Sequence, residues 1–123
     1  MAIFSRDAYV IIKTVRLKAK AMETIPHITL DKEAIEAFCR KWRVREFSLF
    51  GSVLRDDFGP ESDIDILVEL APGHGLDLFD WVDMREELKQ LFQHDVDLVS
   101  KGGLKNPIRR EVILSSAKVV YAA

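Results

Sequence analysis

The residues best suited to chemistry in this sequence are carboxylates at short, regular intervals. Asp63-Ile64-Asp65 places two of them at i and i+2. On a strand both side chains leave the same face, with backbones ~7 Å apart, so they can converge on a divalent cation. Asp95-Val96-Asp97 repeats the pattern downstream. A strand there, paired beside the first, would bring a third acid to the same side, and the alternation alone admits either Asp95 or Asp97. Three acids around two metals ~3.5 to 4 Å apart suit a displacement in which one metal activates the attacking oxygen and the other steadies the leaving group. The glycine and terminal glutamate of an EF-hand are not at their required offsets. Upstream stands Phe50-Gly51-Ser52, with residues 53–62 separating Ser52 from Asp63. Glycine lets backbone amides approach a ligand closely, and a serine opening a short helix adds a hydroxyl and helix N-terminal N–H groups, which suit a phosphate. Each feature alone is ordinary, since Gly-Ser is a common turn and alternating acids describe a solvated strand face. Their order and spacing make a candidate site.

Placing these groups together requires a strand that ends at Gly51 and two that begin at the aspartates. Val44, Phe47, Leu49 and Phe50 predict a buried strand over 45–50. Asp31 can cap a helix over 31–42, with Ala34, Ile35, Ala37, Phe38 and Trp42 on its apolar side. Residues 56–62 are dense in turn formers, Gly59-Pro60 above all. From Asp63 to Leu70, Ile64, Ile66 and Val68 alternate toward a core and leave Asp63 and Asp65 on the other face. Leu78, Trp81, Val82, Leu88, Leu91 and Phe92 predict a helix over 77–92. A strand over 95–99, a helix over 107–116 and a last strand over 118–121 complete the chain. Strands separated by helices indicate an α/β class with a small, mixed sheet and helices packed on it. Leu78, Phe79 and Trp81 fit core positions, with a docking surface as the alternative. Cys39 falls among the apolar positions of the 31–42 helix and reads as a buried, inert thiol.

The bulk properties narrow the function. A chain of 123 residues, 48% hydrophobic and 31% charged, fits one compact domain. A net charge of -2 gives no global reason to coat nucleic acid or an anionic membrane. A single cysteine excludes an internal disulfide, and no apolar run approaches the ~20 residues of a membrane span, so a soluble, cytoplasmic protein is expected. Near the N-terminus Arg6, Lys13, Arg16, Lys18 and Lys20 interleave with Ala8, Ile11, Ile12, Val15, Ala19 and Met22. This predicts an amphipathic helix, capped by Ser5, with a solvated basic face. Residues 1–27 are expected to form that extension, and residues 28–123 the domain.

The stretch Leu49-Phe50-Gly51-Ser52-Val53-Leu54-Arg55 through Ser62-Asp63-Ile64-Asp65-Ile66-Leu67-Val68 resembles the signature of the polymerase-beta-type nucleotidyltransferase superfamily. It is most similar to the minimal nucleotidyltransferases of prokaryotes, and Val96-Asp97-Leu98-Val99 is similar to that group's third motif. The resemblance spans residues 28–121 and implies the polymerase-beta-like nucleotidyltransferase fold. It assigns the third carboxylate to Asp97. It also implies a reaction in which a hydroxyl attacks the α-phosphate of an NTP, ATP first among them, and pyrophosphate leaves. In that scheme Gly51 and Ser52 hold the triphosphate, Asp63 and Asp65 bind two Mg2+ ions, and Asp97 binds one and helps activate the acceptor. Arg55 matches a basic motif position and could touch a phosphate, or else pair with Asp56 or Glu61. Asp56, Asp57 and Glu61 make this loop more acidic than the basic, glycine-rich loop of many relatives.

Larger relatives carry a further domain that shapes the acceptor pocket, and the resemblance covers only the nucleotide half. It therefore implies a partner, namely a HEPN-type helical RNase toxin that this chain, as an antitoxin, silences by adenylylating a tyrosine. Two alternatives share the sequence features. One is a small-molecule or RNA 3'-end nucleotidyltransferase with a separate acceptor subunit or a self-associated site. The other is an antitoxin that acts by binding alone.

Overall fold

The computed structural model describes residues 22–25 and 27–123. The expected basic helix over residues 6–20 lies outside them. Strands β1 (Met22–Ile25) and β2 (Ile28–Asp31) pair as an antiparallel hairpin. Helix α1 (Lys32–Trp42) follows at once, because the Asp31 side chain accepts a hydrogen bond from the Ala34 N–H at 3.2 Å. Arg43, in the left-handed region at φ 59°, ends it and donates its N–H to the Cys39 carbonyl. The turn sends the chain directly into β3 (Val44–Phe50).

A short 3-10 turn, Gly51–Leu54, and a loop lead to β4 (Ile64–Leu70). Helix α2 (Leu78–Phe92) opens with a reciprocal cap: Asp80 N–H donates to Asp77 at 2.8 Å and Asp77 N–H to Asp80 at 3.0 Å. Strand β5 (Val96–Ser100), helix α3 (Pro107–Ser116) and strand β6 (Lys118–Ala122) complete the fold. The main sheet has the order β5-β4-β3-β6, with β4 and β5 parallel and the other pairs antiparallel. This is the expected small mixed sheet. The strands and helices stand within a residue or two of the expected bounds, and the β1–β2 hairpin is the element the sequence pattern did not show.

The sheet is covered on both faces. On one, Ile64, Ile66 and Val68 of β4 join Phe47, Leu49, Val96 and Leu98 against Ile35 and Phe38 of α1 and Met84 and Leu88 of α2. On the other, Leu67 and Phe50 pack with Leu104 and Ile113, which lays α3 across that face. The aspartates lie on this second face, beside α3 and away from the larger core. Cys39 is fully buried in the first cluster, and burial pushes its thiol from 9.0 up to about 12. Of Leu78, Phe79 and Trp81, expected in the core, Leu78 and Phe79 are corrected: they are 74% and 80% exposed, as is Val82 at 50%, while Trp81 packs partly against the core. Only Met84 and Leu88 of α2 bury fully. Among the described residues no helix is long and apolar enough to cross a membrane.

Candidate active site

Strand β3 runs straight into the Gly51 turn, and its last residue, Phe50, is the register partner of Asp65 on β4. Gly51 takes φ +75°, a conformation L side chains rarely adopt. A Cβ there would lie 2.0 Å from Asp65 Oδ2. The absence of a side chain at position 51 therefore creates the space in which the Asp65 carboxylate sits against the turn. Ser52 is next in the turn, and its carbonyl accepts the Arg55 N–H at 2.9 Å.

Asp97 on β5 is the register partner of Asp65 across the parallel pair, so the two carboxylates leave neighbouring strands on the same face. Asp63 lies one residue before β4, exposed, two positions from Asp65. The structure thus sets Asp65 against the Gly51 turn, with Asp97 beside it on the next strand and Asp63 two residues before it. Asp65 registers the crowding: its carboxyl is raised first by burial, then by the charges of Asp97 and Asp63, with Arg55 and Arg109 pulling the other way. Asp95 stands elsewhere. It precedes β5, its carbonyl accepts the Ile64 N–H at 2.9 Å, and its exposed side chain lies 3.5 Å from Lys89.

Arg55 pairs with Asp57, at 3.2 Å from Nε, and not with Asp56 or Glu61 as the sequence suggested. The pair is two residues apart in one exposed turn, and its hydrogen bond is the main reason the Asp57 carboxyl falls below the usual range. The loop is fastened from outside. His27 hydrogen-bonds the Arg55 carbonyl, its ring stacks on Phe58 at 5.1 Å, and Phe58 meets His94 at 5.3 Å on its other side. Gly59 N–H donates to Ser62 Oγ at 2.9 Å, closing the turn just before Asp63. Sequence reasoning missed this clamp because its members come from three distant segments. It also passed over Arg109, which no motif marks.

Among the described residues no three His, Cys, Asp or Glu side chains form a ready-made metal cage. The donor set still fits a hard cation of the magnesium type, which is commonly held by one or two carboxylates while substrate phosphates and water complete its shell. The raised Asp65 carboxyl fits the same reading, because a divalent ion would relieve the mutual repulsion of the three acids.

A mixed sheet that sets paired carboxylates beside a Gly-Ser turn suits metal-assisted transfer of a nucleotide. The chain belongs to the nucleotidyltransferase domain family, whose model matches residues 31–120. Among its relatives is the protein adenylyltransferase MntA of Thermococcus cleftensis, 37% identical over 66% of this chain and 77% of that protein. A solved structure assigned as a minimal nucleotidyltransferase superposes with a TM-score of 0.59 at 34% identity, covering 70% of this chain and 85% of the other. A toxin–antitoxin structure with AMP-PNP gives a TM-score of 0.61 at 25% identity, covering 76% of this chain and 75% of the other. The MNT antitoxin complex with the tri-AMPylated HEPN toxin of Shewanella oneidensis matches at a TM-score of 0.54 and 24% identity, over 74% of this chain and 69% of the other; at that identity it supports the fold alone.

Proposed function

We propose that this nucleotidyltransferase transfers AMP from ATP to a tyrosine hydroxyl of a HEPN-type toxin, and so acts as an antitoxin. The observation that carries the reading is the seating of Asp65 against Gly51, with Asp97 its register partner on the next strand. The similarity to MntA and to toxin–antitoxin structures supports the choice of acceptor.

In this reading the Gly51 turn and the Ser52 hydroxyl cradle the triphosphate, and Arg55 lies close enough to contribute charge. Asp63 and Asp65 would hold two Mg2+ ions, and Asp97 one of them. The ions, when bound, neutralise the phosphate charge and lower the energy of the departing pyrophosphate. Asp97, exposed on the edge strand, draws the proton of the acceptor hydroxyl. The hydroxyl oxygen then forms a bond to the α-phosphorus, the bond from that phosphorus to the bridging oxygen breaks, and pyrophosphate carries away the electron pair. Leu78, Phe79 and Val82 give the partner an apolar surface on the first turns of α2.

The test is transfer from α-labelled NTPs with Mg2+, in the presence and absence of a HEPN-type toxin. Label on the toxin supports the proposal. Label on RNA or a small molecule points to another acceptor, and tight association without transfer points to neutralisation by contact. Unchanged transfer by Asp63→Ala and Asp65→Ala variants would refute the assigned mechanism.

A further inference from the structure

Three carboxylates make this site strongly negative, and an NTP brings more negative charge to it. Metal ions offset part of that charge, but the site also needs a cation from the protein. Arg55 is engaged with Asp57 at 3.2 Å. Helix α3 supplies another. It is anchored on the aspartate face by Ile113, which is buried with Leu67, two positions beyond Asp65, and with Phe50, its register partner. Leu104 packs in the same cluster and brings the chain back across that face before α3 begins.

Arg109 precedes Ile113 by one helical turn and so lies on the same side of α3. Its backbone is held firmly: the Asn106 side chain accepts hydrogen bonds from the Ile108 and Arg109 N–H groups at 3.0 and 3.1 Å. Its neighbour Arg110 ties the helix to the Lys101 carbonyl at 2.9 Å. The Arg109 side chain is exposed, and among the described residues it forms no ion pair.

We infer that Arg109 is a phosphate-binding residue that closes the α3 side of the nucleotide site, its guanidinium meeting non-bridging oxygens of the bound triphosphate. The geometry suits arginine, whose planar fork of donors matches two phosphate oxygens at once, as a lysine point charge does not. Arg109 contributes its guanidinium from α3, on the face where Phe50, the neighbour of Gly51, packs against Ile113, while the Gly51 turn contributes backbone amides.

The inference rests on the nucleotidyltransferase reading, and calorimetric binding of α,β-methylene-ATP with Mg2+ separates the two. The parent, Arg109→Ala, Arg109→Lys and a remote control, Arg40→Ala, are compared on the full chain. Arg40 pairs with Glu36 on the exposed face of α1. The expected result is about tenfold weaker binding for R109A, partial recovery in R109K and parental affinity in R40A. In turnover R109A should raise KM for Mg·ATP more than it lowers kcat. R109A affinity within twofold of the parent would overturn the assignment of Arg109 and leave the function intact. Weakened binding in R109A that R109K does not recover, with a lowered melting temperature in both, would overturn it in favour of a structural role. A parent chain that binds no Mg·NTP would overturn the nucleotide reading and this inference together.

Discussion

Replacing Gly51 by alanine separates backbone strain from site geometry. The new methyl would lie 2.0 Å from Asp65 Oδ2 and 3.0 Å from its Cγ, where ordinary contact begins at 3.4 Å. The carboxylate must therefore swing away by more than ~1 Å, and because it is the end of a half-buried side chain it can do so at little cost in stability. The backbone at φ +75° adds about 1–2 kcal/mol for a residue with a Cβ. Function should suffer far more than folding, since a displacement of ~1 Å at a reacting centre can cost about 100-fold in rate. Gly73 supplies the control. It has nearly the same backbone angle, φ +69°, and nothing stands within 4 Å of the place a methyl would take. Gly73→Ala should lose a similar amount of stability, about 1–2 kcal/mol, and keep its activity. Urea denaturation measures the first quantity and transfer from labelled ATP the second. Full activity in G51A, or an equal loss in G73A, would refute the claim that Gly51 exists to seat Asp65.

Three other outcomes follow from the same structure. The Asp65 carboxyl is raised in the fold, so the folded chain holds that proton more tightly than the unfolded one, and the associated stability is lost as pH rises through the raised value. Asp65→Asn should accordingly stabilise the metal-free protein at pH 7, and the gain should vanish below the ordinary aspartate value of 3.8; thermal melts across pH check it. Cys39, buried with its thiol pushed up to about 12, should resist alkylation at pH 8 until the chain is unfolded, and its contribution to stability should be lost between pH 9.0 and about 12, which timed thiol labelling and alkaline melts would show. Phe79→Ser should change stability by no more than about 0.5 kcal/mol, as befits an exposed residue, yet weaken association with a HEPN-type toxin in a pull-down titration.

The strands that carry the site were legible because their chemistry is periodic. Ile64, Ile66 and Val68 alternate with the aspartates, and that alternation alone sends Asp65 to the opposite face from the larger core. Helix α3 was expected over 107–116 and is found over Pro107–Ser116, with Asn106 capping its start. The β1–β2 hairpin was not, since its strands hold four residues each, too few to display a period. Leu78 and Val82 carried the helical spacing of core residues, yet spacing cannot say where along α2 the sheet's cover ends. Asp95 and Asp97 were equivalent by alternation, and the register with Asp65 separates them in space. Arg109 and the His27–Phe58–His94 stack depend on contacts between distant segments, which local pattern does not encode.

Intact-mass spectrometry of a HEPN-type toxin after incubation with this chain and Mg·ATP tests the central claim most directly. The expected result is a mass increase of one or more AMP units on the toxin, located to tyrosine by fragmentation, dependent on Mg2+ and lost in the Asp63→Ala and Asp65→Ala variants. A toxin whose mass is unchanged while the complex forms, or one modified equally well by both variants, would contradict it.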